Sequence, residues 1–330
     1  MISRREWIRI TAGTGAALGA APSLLRALQT GATQQGTLHR KAIPSSGEMI
    51  PVIGLGSSAT FATVARGTEV AALKEVFRAM ADRGATLFDT APGYGVSEQV
   101  AAQIVNELGI ADRMFWATKV NAAPRGSGGP GSPAKAEPAA ARAQIERSFE
   151  VLKRPKIDLI QVHNLSDVST HLAELKKLKK EGRVRYIGVT TTFEPQYGEL
   201  VQWMRNEPLD FIGIDYAADN RQVEETILPL AQERKIAVLA YAPFGRTSLF
   251  RRAAGKELPE WAKEFDATTW AQFFLKFVVS HPAITAATPA TSQARHMLDN
   301  IGGGVGRMPD AAMRRRIIDF VDALPPAPGR

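Results

Sequence analysis

The sequence predicts an α/β protein that folds as a single-domain (β/α)8 TIM barrel, and three observations support that prediction. The chain has 330 residues, 45% of them hydrophobic and 22% charged, as in a globular protein with a large core. Short apolar runs alternate with helical patterns from Ile50 onward. No Gly-x-Gly-x-x-Gly fingerprint leads from a strand into a helix, which disfavours an open dinucleotide-binding sheet.

The strands are predicted from runs that are rich in β-branched and apolar residues, as expected for buried parallel strands. They cover residues 52–55, 86–89, 115–120, 159–163, 186–190, 211–216, 238–242 and 284–287. Eight such strands, each followed by a helix, close more naturally into a barrel than into an open sheet.

The helices are predicted from apolar residues at helical spacing, and glycines at Gly84 and Gly182 end two of them. They cover residues 69–83, 98–108, 139–152, 170–181, 196–205, 223–233, 269–280 and 292–300. Segments 124–138 and 246–266 interrupt the alternation after the third and seventh strands. Because both follow the carboxyl ends of strands, we expect them to be substrate loops.

The N-terminal sequence predicts a targeting signal rather than a part of the fold. Arg4 and Arg5 precede a Gly/Ala-rich stretch over residues 10–28, which resembles a twin-arginine export signal. Pro22 and Arg26 interrupt the stretch, so it falls short of the roughly 20 apolar residues of a stable membrane span. We therefore expect residues 1–32 to be a signal peptide, with an ordinary amphipathic helix as the alternative.

This targeting signal predicts how the chain is processed and exported in the cell. Residues 33–330 would form the barrel, and the twin-arginine export machinery would be a partner of the chain. The twin-arginine route carries folded proteins, so a cofactor would be loaded before export. The expected location is the bacterial periplasm or another exported compartment.

Charge and cysteine content exclude several classes of function. The formal charge is +8, but the basic residues are dispersed, which disfavours nucleic-acid binding. The chain contains no cysteine, which excludes thiol catalysis, disulfides and cysteine metal sites.

Four ionisable residues are predicted to meet at the carboxyl ends of neighbouring strands: Asp89, Tyr94, Lys119 and His163. A tyrosine with an ordinary pKa of about 10 exchanges protons poorly at neutral pH, and a nearby ammonium lowers that pKa. Lys119 can supply the ammonium and Asp89 can keep it charged. His163 can polarise a substrate carbonyl while Tyr94 transfers the proton.

These residues lie in motifs that resemble the aldo/keto reductase family. The motifs are FDTAPGYG over 88–95, ATK over 117–119, QVHN over 161–164, IGVT over 187–190 and AYAPFG over 240–245. The resemblance covers residues 50–300. It implies an oxidoreductase that interconverts a carbonyl and an alcohol with a nicotinamide cofactor, with Tyr94 as general acid/base, Lys119 and Asp89 as its tuning pair, and His163 as the residue that orients the carbonyl. No metal is implied.

The resemblance also implies a cofactor site for NADP(H), with NAD(H) as the alternative. Tyr241 would stack on the nicotinamide, Arg246 would add charge beside the pyrophosphate, Arg295 would pair with a 2′-phosphate, and Asn300 would contact adenine. The cofactor-binding residues expected on this basis are Thr190, Thr191, Tyr241, Ala242, Phe244, Arg246, Thr291, Arg295 and Asn300.

Two departures from the family pattern keep other functions open. Thr190-Thr191 stands where the family usually has Ser-Asn, and Gly213 stands where it usually has glutamine, so amides that hold the nicotinamide are missing. A reductase-like protein that binds cofactor without substantial turnover is therefore one alternative. A barrel hydrolase that acts on sugars through Asp89 and Glu98 is another.

Overall fold

A computed structural model of the protein describes residues 36–67, 70–123 and 135–327. The chain divides into two compact units, Met1–Gly36 and Thr37–Arg330, and all described residues except Gly36 belong to the second. The predicted signal peptide lies outside the described residues, so the boundary at residue 32 stays a prediction. Most of the predicted loop over 124–138 also lies outside them.

The second unit begins with a hairpin of two antiparallel strands, β1 (Arg40–Ala42) and β2 (Met49–Pro51). The turn between them brings the backbone N–H of Gly47 to 2.8 Å from the carbonyl oxygen of Ile43. Gly47 has a φ of 79°, a left-handed conformation that glycine adopts without steric cost.

Eight further strands form one parallel sheet whose order follows the chain. They are β3 (Leu55–Gly56), β4 (Leu87–Asp89), β5 (Phe115–Val120), β6 (Ile157–Val162), β7 (Val184–Thr191), β8 (Phe211–Asp215), β9 (Ala237–Tyr241) and β10 (Ala286–Ala287). The first and last strands meet through parallel bridges from Ile53 to Ala287 and from Gly56 to Ala290. The predicted (β/α)8 barrel is thus confirmed.

Helices surround this sheet, and most follow a strand directly. They are α1 (Thr60–Ala65), α2 (Val70–Asp82), α3 (Ser97–Glu107), α4 (Pro138–Leu152), α5 (Val168–Lys180), α6 (Tyr197–Asn206), α7 (Ile227–Glu233), α8 (Ser248–Arg252), α9 (Trp270–Ser280), α10 (Ala294–Gly302) and α11 (Ala311–Asp322). In α4, Pro138 occupies the first turn, where its missing N–H costs nothing, and buried residues recur at helical spacing.

The N-terminal end of the barrel is closed by the hairpin. Ile43 and Ile50 are buried against the inward side chains of the strands, including Leu87, Phe115 and Phe211. Lys41 fixes the hairpin from outside, because its Nζ donates to the carbonyl oxygens of three residues at and beyond the end of α9, each at 2.8 Å. Only the C-terminal end therefore remains for a site.

The structure corrects three predicted strand ends at this open mouth. The strands predicted to reach His163, Tyr216 and Ala242 stop at Val162, Asp215 and Tyr241. Ala242 has a φ of 45° and Asn164 a φ of 53°, so the chain turns into left-handed conformations that a strand cannot continue. The hairpin, α1, α8 and α11 were not predicted, although the Asp310 cap and the apolar spacing of Met313, Ile317 and Val321 indicate α11.

Candidate active site

The four ionisable side chains predicted to converge lie together at the open mouth. Lys119 Nζ donates to Asp89 Oδ2 at 2.6 Å and to the carbonyl oxygen of Thr90 at 2.9 Å. The Tyr94 hydroxyl lies 3.4 Å from His163 Nε2, and Lys119 Nζ lies 5.2 Å from the centre of the Tyr94 ring. The structure thus brings this group, the catalytic tetrad, into one place, while the role of each residue stays a prediction.

A tight turn after β4 holds Tyr94 over the mouth. Its backbone N–H donates to the carbonyl oxygen of Ala91 at 3.0 Å, and Ser97 Oγ donates to its carbonyl oxygen at 2.8 Å. Gly95 follows with a φ of 66°. Since Ser97 is the first residue of α3, the helix fixes the turn and with it the position of the phenol.

His163 is held by a turn that carries backbone strain. It begins a 3-10 turn in which Asn164 and Leu165 have φ values of 53° and 50°. The backbone N–H of Asn164 donates to Thr190 Oγ1 at 3.1 Å, which fixes the turn to β7. Non-glycine residues in such conformations cost about 1–3 kcal/mol each and cluster at functional sites.

Lys119 and Asp89 form a buried ion pair, with exposures of 3% and 4%. Burial alone would lower the pKa of Lys119, but the Asp89 carboxylate and the Tyr94 hydroxyl outweigh it, so the pKa of Lys119 is raised. Burial raises the pKa of Asp89 against the opposing charge of Lys119. The lysine therefore stays charged at neutral pH, as predicted for the tuning pair.

The electrostatics of Tyr94 differ from the expectation in one respect. Burial raises the pKa of Tyr94 and exceeds the lowering by Lys119, so the phenol keeps its proton at neutral pH in the cofactor-free protein. Burial, aided by the charge of Lys119, lowers the pKa of His163 to about 4, so its imidazole is neutral. The pair presents a protonated phenol beside a neutral imidazole.

A cavity of about 570 Å³ opens above these residues, a size typical of small-molecule sites. Two buried polar atoms in its wall, Asp215 Oδ1 and Thr288 Oγ1, have no hydrogen-bond partner in the part of the chain that the structure describes. The wall is also tight at Gly56, where an added Cβ would lie 2.5 Å from the carbonyl oxygen of Thr288. Buried polar atoms without partners indicate that a polar ligand completes the site.

The structure divides the predicted cofactor-binding residues into two groups. Thr190, Tyr241, Ala242, Phe244 and Arg246 line the cavity.

The other four are not among the residues that line it. The buried Thr191 donates from its Oγ1 to Gln196 Oε1 at 2.6 Å. Thr291 and Asn300 are buried near and within α10, and the exposed Arg295 donates to Gln293 Oε1 at 2.8 Å. The predicted adenine side is therefore not part of this cavity.

The loop after β9 places Arg246 beside Asp215 rather than free in solvent. Arg246 Nη2 donates to Asp215 Oδ2 at 2.5 Å, and burial raises the pKa of Asp215 against the charge of Arg246. Ala242, Gly245, Arg246 and Thr247 all have left-handed φ values between 45° and 75°. A loop of this shape turns its backbone sharply over the cavity.

A second cavity of about 420 Å³ adjoins the first at Tyr94, His163 and Asn164. Its remaining lining includes Asn121 and Gln144, and Gln144 is already bonded to the backbone of Asn121 in both directions, at 2.7 and 3.1 Å. The phenol and the imidazole thus lie where the two cavities adjoin.

Sequence reasoning missed Asp215 and Gln161. Asp215 ends β8 just as Asp89 ends β4, so the rule that selected Asp89 would have found it. Gln161 points into the barrel and donates to the Tyr241 hydroxyl at 2.9 Å, a contact that only the fold reveals.

Glu98 does not pair with Asp89 in the cavity. It is buried in the first turn of α3, where it accepts a hydrogen bond from Thr118 Oγ1 at 2.6 Å and one from Ser148 Oγ at 3.4 Å. Asp89 is bound to Lys119. The geometry therefore gives no support to the alternative of a sugar hydrolase with this carboxylate pair.

The described ranges contain neither a metal-binding cluster nor a helix that could span a membrane. Residues 36–67, 70–123 and 135–327 contain no group of three or more histidine, aspartate or glutamate side chains able to hold a metal ion. Within the same ranges no helix has the length and apolarity needed to cross a membrane.

Comparison with known proteins points in one direction. Residues 52–315 match the sequence model of the Aldo/keto reductase family. The Aldo-keto reductase YhdN of Bacillus subtilis is 32% identical over 225 residues, which span 65% of this chain and 63% of that protein's length.

Solved structures share the fold at lower identity. An aldo-keto reductase from Klebsiella pneumoniae in complex with NADPH superposes with a TM-score of 0.68 at 22% identity, covering 89% of this chain and 97% of that one. The holo form of AKR11C1 from Bacillus halodurans gives 0.67 at 20% identity, covering 86% and 96%.

Proposed function

This chain belongs to the aldo/keto reductase family, and we propose that it is an active NADP(H)-dependent oxidoreductase that interconverts an aldehyde or ketone and the corresponding alcohol. The observation that carries the proposal is the catalytic tetrad at the junction of two cavities. A buried lysine at the end of a barrel strand needs a partner and a purpose, and Asp89 and Tyr94 supply both.

The proposed mechanism uses Tyr94 as the proton donor for carbonyl reduction. A bound nicotinamide cofactor supplies the hydride. The substrate carbonyl oxygen accepts hydrogen bonds from the Tyr94 hydroxyl and from His163, whose side chains lie 3.4 Å apart. Tyr94 then transfers its proton to that oxygen, and the Lys119 ammonium stabilises the phenolate that remains. Alcohol oxidation reverses these steps.

Several features of the first cavity fit NADP(H). Structures of family members contain NADP or NADPH, among them the Klebsiella pneumoniae protein. In this chain, Arg246 offers a cation at the mouth, with a side chain that is 61% exposed, while Thr288 and Asp215 carry buried atoms that lack partners within the described part of the chain. We propose that Tyr241 faces the nicotinamide and that Arg246 lies near the pyrophosphate.

The test is single-turnover oxidation of protein-bound NADPH by a panel of aldehydes, ketones and quinones. Turnover of at least one class supports the proposal. Tight NADPH binding without any turnover would favour the alternative of a reductase-like binding protein, which the missing amides at Thr191 and Gly213 motivate. Absence of any NADPH binding, measured by fluorescence titration, would contradict both.

We further propose that the protein is exported in folded form through the twin-arginine route. Arg4 and Arg5 and the Gly/Ala-rich stretch that follows support this proposal. Cell fractionation should find the native chain outside the cytoplasm and the Arg4→Lys/Arg5→Lys variant inside it. Equal distribution of the two would contradict the proposal.

A further inference from the structure

Tyr241 does more in this structure than line the cavity. Tyr241 is the last residue of β9, and its hydroxyl points inward and donates to Asp89 Oδ1 at 3.2 Å. The other oxygen of the same carboxylate accepts the hydrogen bond from Lys119 Nζ at 2.6 Å. Lys119 Nζ also lies 5.2 Å from the centres of both the Tyr241 and Tyr94 rings. The Asp89 carboxylate is therefore held from both sides.

The hydrogen-bond directions around Tyr241 follow from its neighbours. Gln161 Nε2 donates to the phenol oxygen at 2.9 Å, which leaves the phenol proton for Asp89. The opposite arrangement, with the phenol donating to Gln161, would place two oxygens without a proton between them 3.2 Å apart. Burial, reinforced by the negative charge of Asp89, raises the pKa of Tyr241 well above its ordinary value, so the proton stays on the phenol.

Gly213 makes this position of the ring possible. A Cβ at residue 213 would lie 2.4 Å from Cε2 of Tyr241 and 2.6 Å from its hydroxyl oxygen, closer than any real contact. Gly213 is also where the family resemblance leads one to expect glutamine. The Tyr241 ring therefore occupies the space that a larger side chain at residue 213 would take. The absence of the glutamine amide and the inward position of the tyrosine thus have the same cause.

We propose that Tyr241 is a positioning residue for proton transfer, whose hydroxyl fixes the Asp89 carboxylate against Lys119 in the space that Gly213 leaves open. The inference rests on the proposed function, because it assigns Tyr94 as the proton donor. Without the Tyr241 hydrogen bond, the negative charge of Asp89 is less neutralised. That charge disfavours the Tyr94 phenolate, so Tyr94 becomes a weaker acid.

The first test is the kinetics of Tyr241→Phe, which keeps the ring and removes the hydroxyl. We expect kcat for carbonyl reduction to fall about tenfold, and its decline at alkaline pH to move to higher pH. The KM for NADPH should change by less than about twofold, since the ring face remains. An unchanged pH profile, or a loss confined to KM, would overturn the proposal. Tyr186→Phe, at the closed end of the same barrel, is the matched control.

The second test does not depend on turnover. The chain contains only five tyrosines, so 13C-labelled tyrosine gives few resonances, and Tyr94→Phe identifies that of Tyr94. We expect the titration midpoint of Tyr94 in cofactor-free Tyr241→Phe to lie above that of the wild type. If no carbonyl is reduced but this midpoint moves, the proposed function fails and the positioning role stands. An unmoved midpoint overturns the positioning role.

Gly213→Ala provides an independent variant that keeps the hydroxyl but displaces the ring. We expect it to move the kcat profile and the Tyr94 midpoint in the same direction as Tyr241→Phe. Gly198→Ala is the matched control, because a Cβ there meets no atom within 4 Å. Wild-type behaviour of Gly213→Ala in both measurements would contradict the role of Gly213.

Discussion

The two ends of the barrel differ in how their buried side chains are packed and hydrogen-bonded. At the closed end, Phe115, Tyr186 and Phe211 form an aromatic cluster, and the Tyr186 hydroxyl donates to Glu48 at 2.6 Å. At the open end, Asp215 Oδ1 and Thr288 Oγ1 are buried without partners among the described residues. The buried hydroxyl of Tyr186 thus has partners within the protein, whereas the open end leaves buried polar atoms for a ligand.

The loop after β9 and the hairpin turn also differ in backbone conformation. The loop after β9 at the open end carries left-handed φ values at Ala242, Arg246 and Thr247, whereas the hairpin turn at the closed end uses Gly47 for its left-handed position. Strain and unpaired polar atoms both reduce the free energy of unfolding. We infer that the closed end stabilises the fold, whereas the open end lowers the free energy of unfolding in order to bind a ligand.

The largest expected effect tests the open end. Tyr94→Phe should reduce the rate of carbonyl reduction by about a thousandfold or more, because it removes the general acid. NADPH affinity and the free energy of unfolding should change little, since the ring stays in place. Stopped-flow kinetics and fluorescence titration measure these quantities. Retained turnover would remove Tyr94 from its proposed role.

The next prediction concerns the closed end. Phe211→Ala should lower the free energy of unfolding by about 3–5 kcal/mol, because it leaves a cavity in a fully buried aromatic cluster. The NADPH affinity of the folded fraction should not change. Denaturant unfolding measures the first quantity, and Phe193→Ala, at a side chain 61% exposed, is the control. A cost below about 1 kcal/mol would show that this end is not where stability lies.

A smaller effect should appear when the charge at the open end is changed. Asp215→Asn keeps an oxygen acceptor but removes a negative charge from the cavity and weakens the hold on Arg246, so we expect NADPH to bind about fivefold more tightly, roughly 1 kcal/mol. The gain should shrink as salt rises, because Arg246 is largely exposed. Asp322→Asn breaks a comparable ion pair, with Arg221, elsewhere on the surface and serves as control. Weaker binding by Asp215→Asn would mean that the carboxylate itself contacts the ligand.

The last prediction concerns proton binding, and it compares one histidine at each end. Burial with the charge of Lys119 lowers the pKa of His163 to about 4, and burial with the charge of Arg314 does the same for His281, whose carbonyl oxygen binds Lys41 near the closed end. Unfolding raises each pKa to about 6.5, so the unfolded chain binds more protons between these values. Stability should therefore fall as pH drops from about 6.5 to 4.

Variants separate the two contributions. His281→Gln and His163→Gln should each reduce the number of protons taken up on unfolding by about one across this range. Thermal unfolding at a series of pH values gives that number. An unchanged pH dependence in either variant would show that its histidine is not buried as a neutral group.

The sequence predicted the barrel and the catalytic tetrad because both depend on local patterns. Apolar periodicity identifies the strands, and the end of a parallel strand fixes where Asp89 and Lys119 must lie. Strand β5 matched the predicted residues 115–120 at both ends. These features are set within single elements, so one chain is enough to find them.

What the sequence could not show depends on contacts between distant elements. The inward position of Tyr241 requires Gly213, Gln161 and Asp89 from three other strands. His171 of α5 is buried, and its Nε2 accepts a hydrogen bond from the backbone N–H of Ala122 at 3.0 Å. Neither contact leaves a trace in local spacing.

The contact between β3 and β10 determines when the barrel can close during synthesis. These strands contain two residues each, and they join the beginning of the barrel to its end through Ile53 and Ala287. A ribosome delivers the first of these residues long before the second. Strands β3 to β9 can pair with their neighbours in chain order, but the free edge of β3 stays open until translation is nearly complete, and only then can the barrel close.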